Sequence, residues 1–346
     1  MSQPWHGVRR VLCVRLDSIG DVLMTTPAIR ALRETFGCQV TLLTSPAGAA
    51  VAPLVPEIDD TIVFAAPWMK SASGSSCEPE MIARLAAGGF DAAVIFTVYS
   101  QSPLPAAYLC YLAGIPRRLA HCHENPYALL TDWVPDPEPA ALIRHEVQRQ
   151  LDLVASVGGR TGNETLSFRV PPAAHASVQP HIHGRPLVVV HPGATASSRR
   201  YPPEQYATAI DLLIQQTQCD AVFTGDAHEL ELVDSVRVAM RCLTRSLVGQ
   251  LGLAELGALI GEADLLVSNN TGPAHIAAAV GTPVVDLYAL TNPQHTPWRV
   301  PSRVLNHDVP CRNCYKSVCP AGHHDCLRKV APEAVAAAAL ELLEPA

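Results

Sequence analysis

Two aspartates lie close together in the segment RLDSIGDV at residues 15–22. The segment follows a predicted strand and precedes a helical pattern, and ligands of open α/β sheets bind at the carboxyl ends of strands. Gly20 permits a tight turn with close approach to a ligand, and the helix dipole favours the carboxylate of Asp21. The segment lacks the GxGxxG pattern of dinucleotide-binding loops. Two interpretations stay open, because Asp17 or Asp21 could serve a substrate or only cap the helix.

A second strand-to-helix transition carries polar side chains and a glycine in the segment SNNTGPAH at residues 268–275. Asn270 and Thr271 supply hydrogen-bonding groups, and Gly272 leaves the backbone bare. Unpaired N–H groups at such a terminus form an anion site, which here suits a diphosphate. The alternative is an ordinary capped helix, but the convergence of a glycine with two polar residues favours phosphate binding.

Two further segments in the second half of the chain could contact the same kind of ligand. In HPGATASSRR at residues 191–200, two arginines follow hydroxyl side chains after a predicted strand. They could bind phosphate oxygens bidentately, or they could lie in a solvated loop. In GDAHE at residues 225–229, Glu229 could contact sugar or ribose hydroxyls, or it could only favour the helix dipole.

Four cysteines cluster near the end of the sequence with the spacing C-x2-C-x4-C-x6-C. Together with His323 and His324 they could form a tetrahedral structural zinc site, although the spacing differs from the standard zinc patterns. The alternatives are reduced thiols or a disulfide. The four cysteines are Cys311, Cys314, Cys319 and Cys326.

The composition excludes several classes of protein. Charged residues make up 16% of the 346 residues and hydrophobic residues 48%, which excludes a disordered chain. The net charge of −7 argues against a general nucleic-acid binder, which would carry a basic surplus. The N-terminal residues lack the apolar core and cleavage site of a signal peptide. We therefore expect a cytoplasmic protein whose cysteines are reduced or metal-bound.

The elements that would position these side chains follow an alternating pattern. Short aliphatic runs alternate with helical patterns through both halves of the chain, which predicts parallel sheets covered by helices on both faces. The segment Pro171–Pro186 is rich in proline and histidine and predicts a connection. The sequence therefore predicts two doubly wound α/β units.

Five segments occur in the order that is typical of bacterial heptosyltransferases: RLDSIGDVLMTTPAIRALR, HPGATASSRRYPPEQY, GDAHE, SNNTGPAHIAAAVGTPVV and CRNCYKSVCPAGHHDCLRKVAPEAV. Through them the chain resembles glycosyltransferase family 9 over nearly its whole length. The resemblance implies the GT-B architecture, in which two Rossmann-like domains face a cleft. It implies an acceptor-binding domain at residues 1–175, a nucleotide-sugar-binding domain at residues 176–330, and a C-terminal helix in residues 331–346 that packs back on the first domain.

The resemblance also implies roles for individual residues. The catalytic aspartate of the family falls on Asp21, beside Gly20. Two positions depart from the family pattern, because Arg199 replaces a lysine and Asn270 replaces a carboxylate that contacts the donor sugar. The donor sugar is therefore either not the usual heptose or held differently. The substrate-binding residues that the resemblance implies are Gly20, Thr195, Arg199, Glu229, Asn270, Thr271, Gly272 and His275.

The function that this resemblance implies is inverting glycosyl transfer without an essential metal or other cofactor. A heptose or related sugar would move from an ADP-sugar to a hydroxyl of a lipopolysaccharide inner-core or other glycan acceptor. The protein would bind no nucleic acid, and it would contact the inner membrane surface transiently from the cytoplasm. The alternatives are a nucleotide-sugar epimerase of the same fold and a nucleotide-sugar-binding protein without activity.

Overall fold

The computed structural model of the protein describes residues 5–70, 78–183 and 186–344. The chain divides into two compact units, Met1–Arg169 and Val170–Ala346. The division lies close to the predicted boundary at residues 175 and 176, and the substrates assigned to each domain stay predictions. Parts of the predicted segments fall on residues 1–4, 184–185 and 345–346, which lie outside the described residues.

The first unit contains a six-stranded parallel sheet in the order β3-β2-β1-β4-β5-β6. Its strands are β1 (Arg10–Arg15), β2 (Gln39–Thr44), β3 (Asp60–Val63), β4 (Ala92–Ile95), β5 (Arg117–Cys122) and β6 (Asp132–Pro135). Its helices are α1 (Ile19–Phe36), α2 (Pro46–Ala49), α3 (Glu78–Ala87), α4 (Leu104–Leu112) and α5 (Glu146–Ala155), with 3-10 turns at Ala52–Leu54 and Tyr127–Leu129.

The second unit repeats this arrangement with the strand order β12-β11-β10-β7-β8-β9. Its strands are β7 (Leu187–His191), β8 (Asp220–Phe223), β9 (Arg245–Ser246), β10 (Leu265–Asn269), β11 (Val284–Leu287) and β12 (Ser302–Leu305). Its helices are α6 (Pro172–Val178), α7 (Pro203–Thr217), α8 (Leu230–Ala239), α9 (Leu253–Glu262), α10 (Gly272–Val280), α11 (Asp325–Arg328) and α12 (Pro332–Leu343), with 3-10 turns at Gln179–His181, Ser197–Arg199 and Ala227–Glu229.

The strand orders decide which loops come together. In the first sheet β1 lies between β2 and β4, so the chain reverses its direction of winding beside the carboxyl end of β1. In the second sheet the same reversal lies between β7 and β10. Ligands of open α/β sheets bind at such points. The topology therefore places the segment 15–22 at one binding point, and the segments 191–200 and 268–275 together at the other.

The central strands explain the low charge of the sequence. Residues 11–14 of β1 and all residues of β7 and β10 are buried. Parallel sheets that are covered on both faces need such continuous apolar runs. Among the described helices, none combines the length and apolar composition that crossing a membrane would require.

Several elements differ from the sequence-based expectation. Strand β5 is not predicted by the pattern of aliphatic runs, because it opens with Arg117 and Arg118. The guanidinium of Arg118 is satisfied by loop carbonyls, among them that of Leu129 at 2.7 Å. Part of the predicted connection Pro171–Pro186 forms α6, which packs on α9. The alanine-rich pattern with Pro332 at its start predicts a helix over Pro332–Leu343, and α12 has these bounds and packs on α7 and the second sheet. Its contact with the first unit stays a prediction.

Candidate active site

The first unit holds a fully buried arginine at the end of β1. The Arg15 guanidinium contacts Glu146 Oε1 at 2.8 Å, Asp21 Oδ1 at 2.9 Å and Asp17 Oδ2 at 3.1 Å. Burial by itself would lower the pKa of Arg15, but the three carboxylates outweigh burial and raise it. One permanent positive charge therefore holds three carboxylates around the binding point of the sheet.

Asp21 caps α1, and its side chain also remains accessible at the end of β1. Its Oδ2 accepts hydrogen bonds from the backbone N–H and hydroxyl of Ser18, at 3.0 and 2.6 Å, and the backbone bond is one half of a capping box at the start of α1. Its Oδ1 accepts from Arg15. The side chain nevertheless remains 13% exposed. A carboxylate that is oriented by three donors and still reachable has the properties of a general base.

Asp17 is the second carboxyl group at this point. Burial raises the pKa of Asp17 to about 6, and the charge of Asp21 adds to the rise, while Arg15 and a 2.7 Å hydrogen bond from Gln101 oppose it. Asp17 therefore takes up a proton more readily than an ordinary aspartate does. The sequence motifs predict neither Arg15 nor Gln101 nor Glu146 as part of the site, although an arginine that ends a buried strand is a usable signal.

In the second unit, Glu229 lies beside the end of β7. Its Oε2 accepts from the backbone N–H of Asp226 at 3.0 Å and lies 3.7 Å from Nε2 of His191. Burial raises the pKa of Glu229 and lowers the pKa of His191 to about 4, which leaves this imidazole neutral. Glu229 thus caps a short turn and also lines the loop that follows β7.

Gly193 provides the space for that carboxylate. A Cβ atom at this position would lie 2.0 Å from Glu229 Oε1. Because the end of the Glu229 side chain can move aside, we expect Gly193→Ala to push the carboxylate off its cap and to cost about 1 kcal/mol of unfolding free energy, as loss of a cap does. Thermal unfolding measures this loss. The matched control is Gly261→Ala in α9, whose Cβ would meet only Val280 at 3.8 Å. Equal unfolding temperatures for the two variants would contradict the steric argument.

Asn269 connects the loops of the second binding point. Its Nδ2 donates to the carbonyl of Pro192 at 2.6 Å, and its Oδ1 accepts from the backbone N–H of Tyr201 at 3.0 Å. It thereby joins the end of β10 to both ends of the loop that carries Thr195 and Arg199. Thr195 is exposed and Arg199 is half-buried.

The next residue, Asn270, precedes the N-terminus of α10. Its Nδ2 donates to Asp286 and to the carbonyl of His295. Thr271 is the N-cap residue of α10 and Gly272 its first residue. Since the N–H groups of a first helical turn favour anions, the predicted diphosphate segment has the required local structure. His275 is buried within this helix, at 3% exposure.

The cysteine cluster forms one pocket. All four cysteines line it together with His323 and His324, and Cys311 Sγ lies 3.6 Å from His323 Nε2. The described cysteines are free thiols. Within residues 5–70, 78–183 and 186–344, no three His, Cys, Asp or Glu side chains are arranged as metal ligands. A zinc ion at Cys311, Cys314, Cys319 and Cys326 stays a prediction.

The structure thus groups the predicted residues at two separate binding points. Gly20 and Asp21 lie at the first, where Asp17 and Glu146 join them around Arg15. The second brings the loop of Thr195 and Arg199 to the strand end that carries Asn270, through the bonds of Asn269. The predicted roles of these residues remain predictions.

The chain is similar to a known family and to solved structures. The family model for glycosyltransferase family 9 (heptosyltransferase) matches residues 81–324. The chain is 24% identical to lipopolysaccharide heptosyltransferase 2 of Escherichia coli K12, over 94% of this chain and 96% of that protein. It is 26% identical to lipooligosaccharide heptosyltransferase 2 of Campylobacter jejuni, over 47% of this chain and 52% of that protein. The match spans from 33% to 52% of the length of the first curated relatives.

Two solved structures share the fold. A family 9 glycosyltransferase from Veillonella parvula superimposes with a TM-score of 0.78 at 22% identity, covering 97% of each chain. The ADP-heptose lps heptosyltransferase II of E. coli superimposes with a TM-score of 0.75 at 21% identity, covering 96% of this chain and 98% of that one. The predicted α/β fold, a GT-B pair of Rossmann-like units, is confirmed.

Proposed function

We propose, because this chain belongs to glycosyltransferase family 9, that it transfers a heptose or related sugar from an ADP-sugar to a hydroxyl group of a lipopolysaccharide inner-core or other glycan acceptor. The names of the relatives support the heptose and the lipopolysaccharide acceptor, and the name of the E. coli structure supports ADP-heptose. An acceptor of this kind is lipid-linked, so the protein would work at the cytoplasmic face of the inner membrane.

The observation that carries the proposal is the oriented carboxylate of Asp21. The family match begins after this residue, so the assignment depends on the local geometry and the motif. In the proposed step, Asp21 takes the proton of the acceptor hydroxyl while the oxygen of that hydroxyl attacks the anomeric carbon. Attack from the face opposite the diphosphate forms the new C–O bond and breaks the old one, which inverts the anomeric configuration.

The second unit would bind the nucleotide-sugar. The leaving diphosphate gains negative charge as its bond to the sugar breaks, and preorganised donors stabilise such charge. Arg199, the hydroxyl of Thr195 and the first turn of α10 at Thr271 and Gly272 supply these donors. Because the guanidinium of Arg199 is planar and carries several N–H donors, it can bind two phosphate oxygens at once. These groups would replace a metal ion in the chemical step.

The test is a panel of donors with the purified protein. ADP-heptose and ADP-, GDP- and UDP-hexoses are each offered with a heptose-deficient lipopolysaccharide core, and mass spectrometry follows the acceptor and the released nucleotide. We expect a mass gain of one sugar and release of ADP, with activity retained in EDTA. The anomeric configuration of the product is read by NMR. No release of a nucleoside diphosphate from any donor would refute the proposal.

The same panel separates the two alternatives. An epimerase would convert a nucleotide-sugar into its isomer when no acceptor is present. A binding protein without activity would bind a nucleotide-sugar, but neither turn it over nor respond to the replacement of Asp21. Transfer ranks above both because an oriented carboxylate and the anion-binding helix terminus occur in one chain.

A further inference from the structure

The side-chain amide of Asn270 has a fixed orientation. Its Nδ2 donates to Asp286 Oδ2 at 3.1 Å and to the backbone carbonyl of His295 at 2.7 Å. A backbone carbonyl can only accept, and a carboxyl group keeps an accepting oxygen in both protonation states. These two partners therefore engage both N–H donors of the amide, which leaves its Oδ1 acceptor for a ligand.

Asp286 is a buried carboxyl group on the neighbouring strand. It pairs in register with Ser268 of β10 and is 0% exposed. In the described part of the chain, its Oδ1 has no hydrogen-bond partner. Burial raises the pKa of Asp286 to about 7, against opposing contributions from the Asn270 hydrogen bond and the Arg199 charge. Burying such a group is costly, so a function explains its position better than core packing does.

We propose that Asp286 is a positioning residue for the donor sugar: by holding Nδ2 of Asn270, it makes Asn270 an acceptor-only contact for a hydroxyl group of that sugar. The inference rests on the proposed function, because it assigns the sugar of the nucleotide-sugar to the start of α10. The uncharged amide oxygen of Asn270 thereby serves as the hydrogen-bond acceptor at position 270. The carboxyl group lies instead on the adjacent strand, at Asp286.

The arrangement has a consequence for specificity. A site that is built to bond a hydroxyl group rejects a ligand that lacks it, because a polar group of the site is then left without a partner. An amide that was free to flip could offer either its oxygen or its nitrogen. The carbonyl of His295 and the carboxyl group of Asp286 together remove that choice, so Asn270 selects a hydroxyl that can donate.

The test compares binding of ADP and ADP-heptose by calorimetry, for the natural protein, D286L and D286N. We expect D286L to weaken ADP-heptose binding by about tenfold, the equivalent of one hydrogen bond, and to leave ADP binding within about threefold. The amide oxygen that D286N introduces can still accept from Nδ2, so D286N keeps the preference for ADP-heptose. Thermal unfolding of each variant shows that it is folded.

Three outcomes overturn the inference. Equal weakening of both ligands in D286L would mean that Asp286 acts only on the structure. An unchanged preference for ADP-heptose in a folded D286L would mean that the orientation of Asn270 does not matter. If the natural protein binds neither ligand, the proposed function fails and this inference fails with it, a result that differs from both of the others.

A second variant tests the contact without any ligand. N270D places another carboxylate against the carbonyl of His295 and against Asp286, which accepts rather than donates when it is ionised. We expect its unfolding temperature at pH 8 to fall by about 5 °C or more, and N270D/D286N to regain part of the loss. An unfolding temperature of N270D equal to that of the natural protein would overturn the contact on which the inference depends.

Discussion

Replacing Asp21 with asparagine is expected to lower sugar transfer by about 10²–10⁴-fold, the usual contribution of a general base. Asparagine has nearly the same shape and can still accept one hydrogen bond from Arg15 or Ser18. It cannot take the proton of an acceptor hydroxyl. The variant should therefore fold and bind ADP normally while its turnover collapses, and steady-state kinetics with ADP calorimetry measure the two properties.

The matched control for this experiment is Ser18→Ala. It removes the 2.6 Å hydroxyl bond to Asp21 Oδ2 but leaves the carboxylate and its contact with Arg15 in place. Loss of this cap is expected to cost about 1 kcal/mol of stability with only a small change in turnover. Near-normal turnover by Asp21→Asn would remove Asp21 from the chemistry and favour a protein that only binds nucleotide-sugars.

Replacing Arg15 with methionine is expected to cost about 3–5 kcal/mol of unfolding free energy, because removing one partner leaves buried charges without compensation. Glu146 is 0% exposed, and the side chains of Asp17 and Asp21 are each only 13% exposed. All three would lose their shared positive charge. Chemical denaturation followed by circular dichroism measures the loss.

Two further variants test whether the burial of the charges causes the loss of stability in Arg15→Met. Glu146→Gln added to Arg15→Met removes the most deeply buried of the three charges, so the double variant should regain part of the lost stability. Arg33→Met removes a comparable contact at the surface of the same unit, where Arg33 and Asp59 are 34% and 40% exposed. That pair should be worth about 0–1 kcal/mol. Equal losses for Arg15→Met and Arg33→Met would contradict the burial argument.

Hydrophobic pattern predicted the central elements of the fold well and the peripheral ones poorly. The pattern predicts a strand over Leu187–His191 and a helix over Pro332–Leu343, and β7 and α12 have these bounds, because an unbroken aliphatic run and a proline-initiated alanine helix are strong local signals. The hydrophobic pattern predicts neither β5 nor β6. The former begins with two arginines, and the latter has only four residues that alternate between exposed and half-buried. Their pairing depends on neighbouring strands rather than on local pattern.

The residues of the candidate site likewise divide into those that lie in a sequence motif and those that only the fold brings together. The sequence singles out Asp21 and Asn270 because each lies in a motif at a strand end, and their roles stay predictions. Glu146 could not, since it is 131 positions from Arg15 and reaches it only through the packing of α5 on α1. Asp286 is 16 positions from Asn270 and on a different strand, so only the register of β10 with β11 brings them together.

The Arg15 cluster also sets an order of events for a chain emerging from the ribosome. Strand β1 is synthesised early and lies at the centre of its sheet, but the fully buried partner of Arg15 arrives with α5 near the end of the first unit. Until then, the guanidinium would have to enter the core beside Asp17 and Asp21 alone. The set of contacts around Arg15 therefore cannot be complete until Glu146, 131 positions later in the chain, has been synthesised.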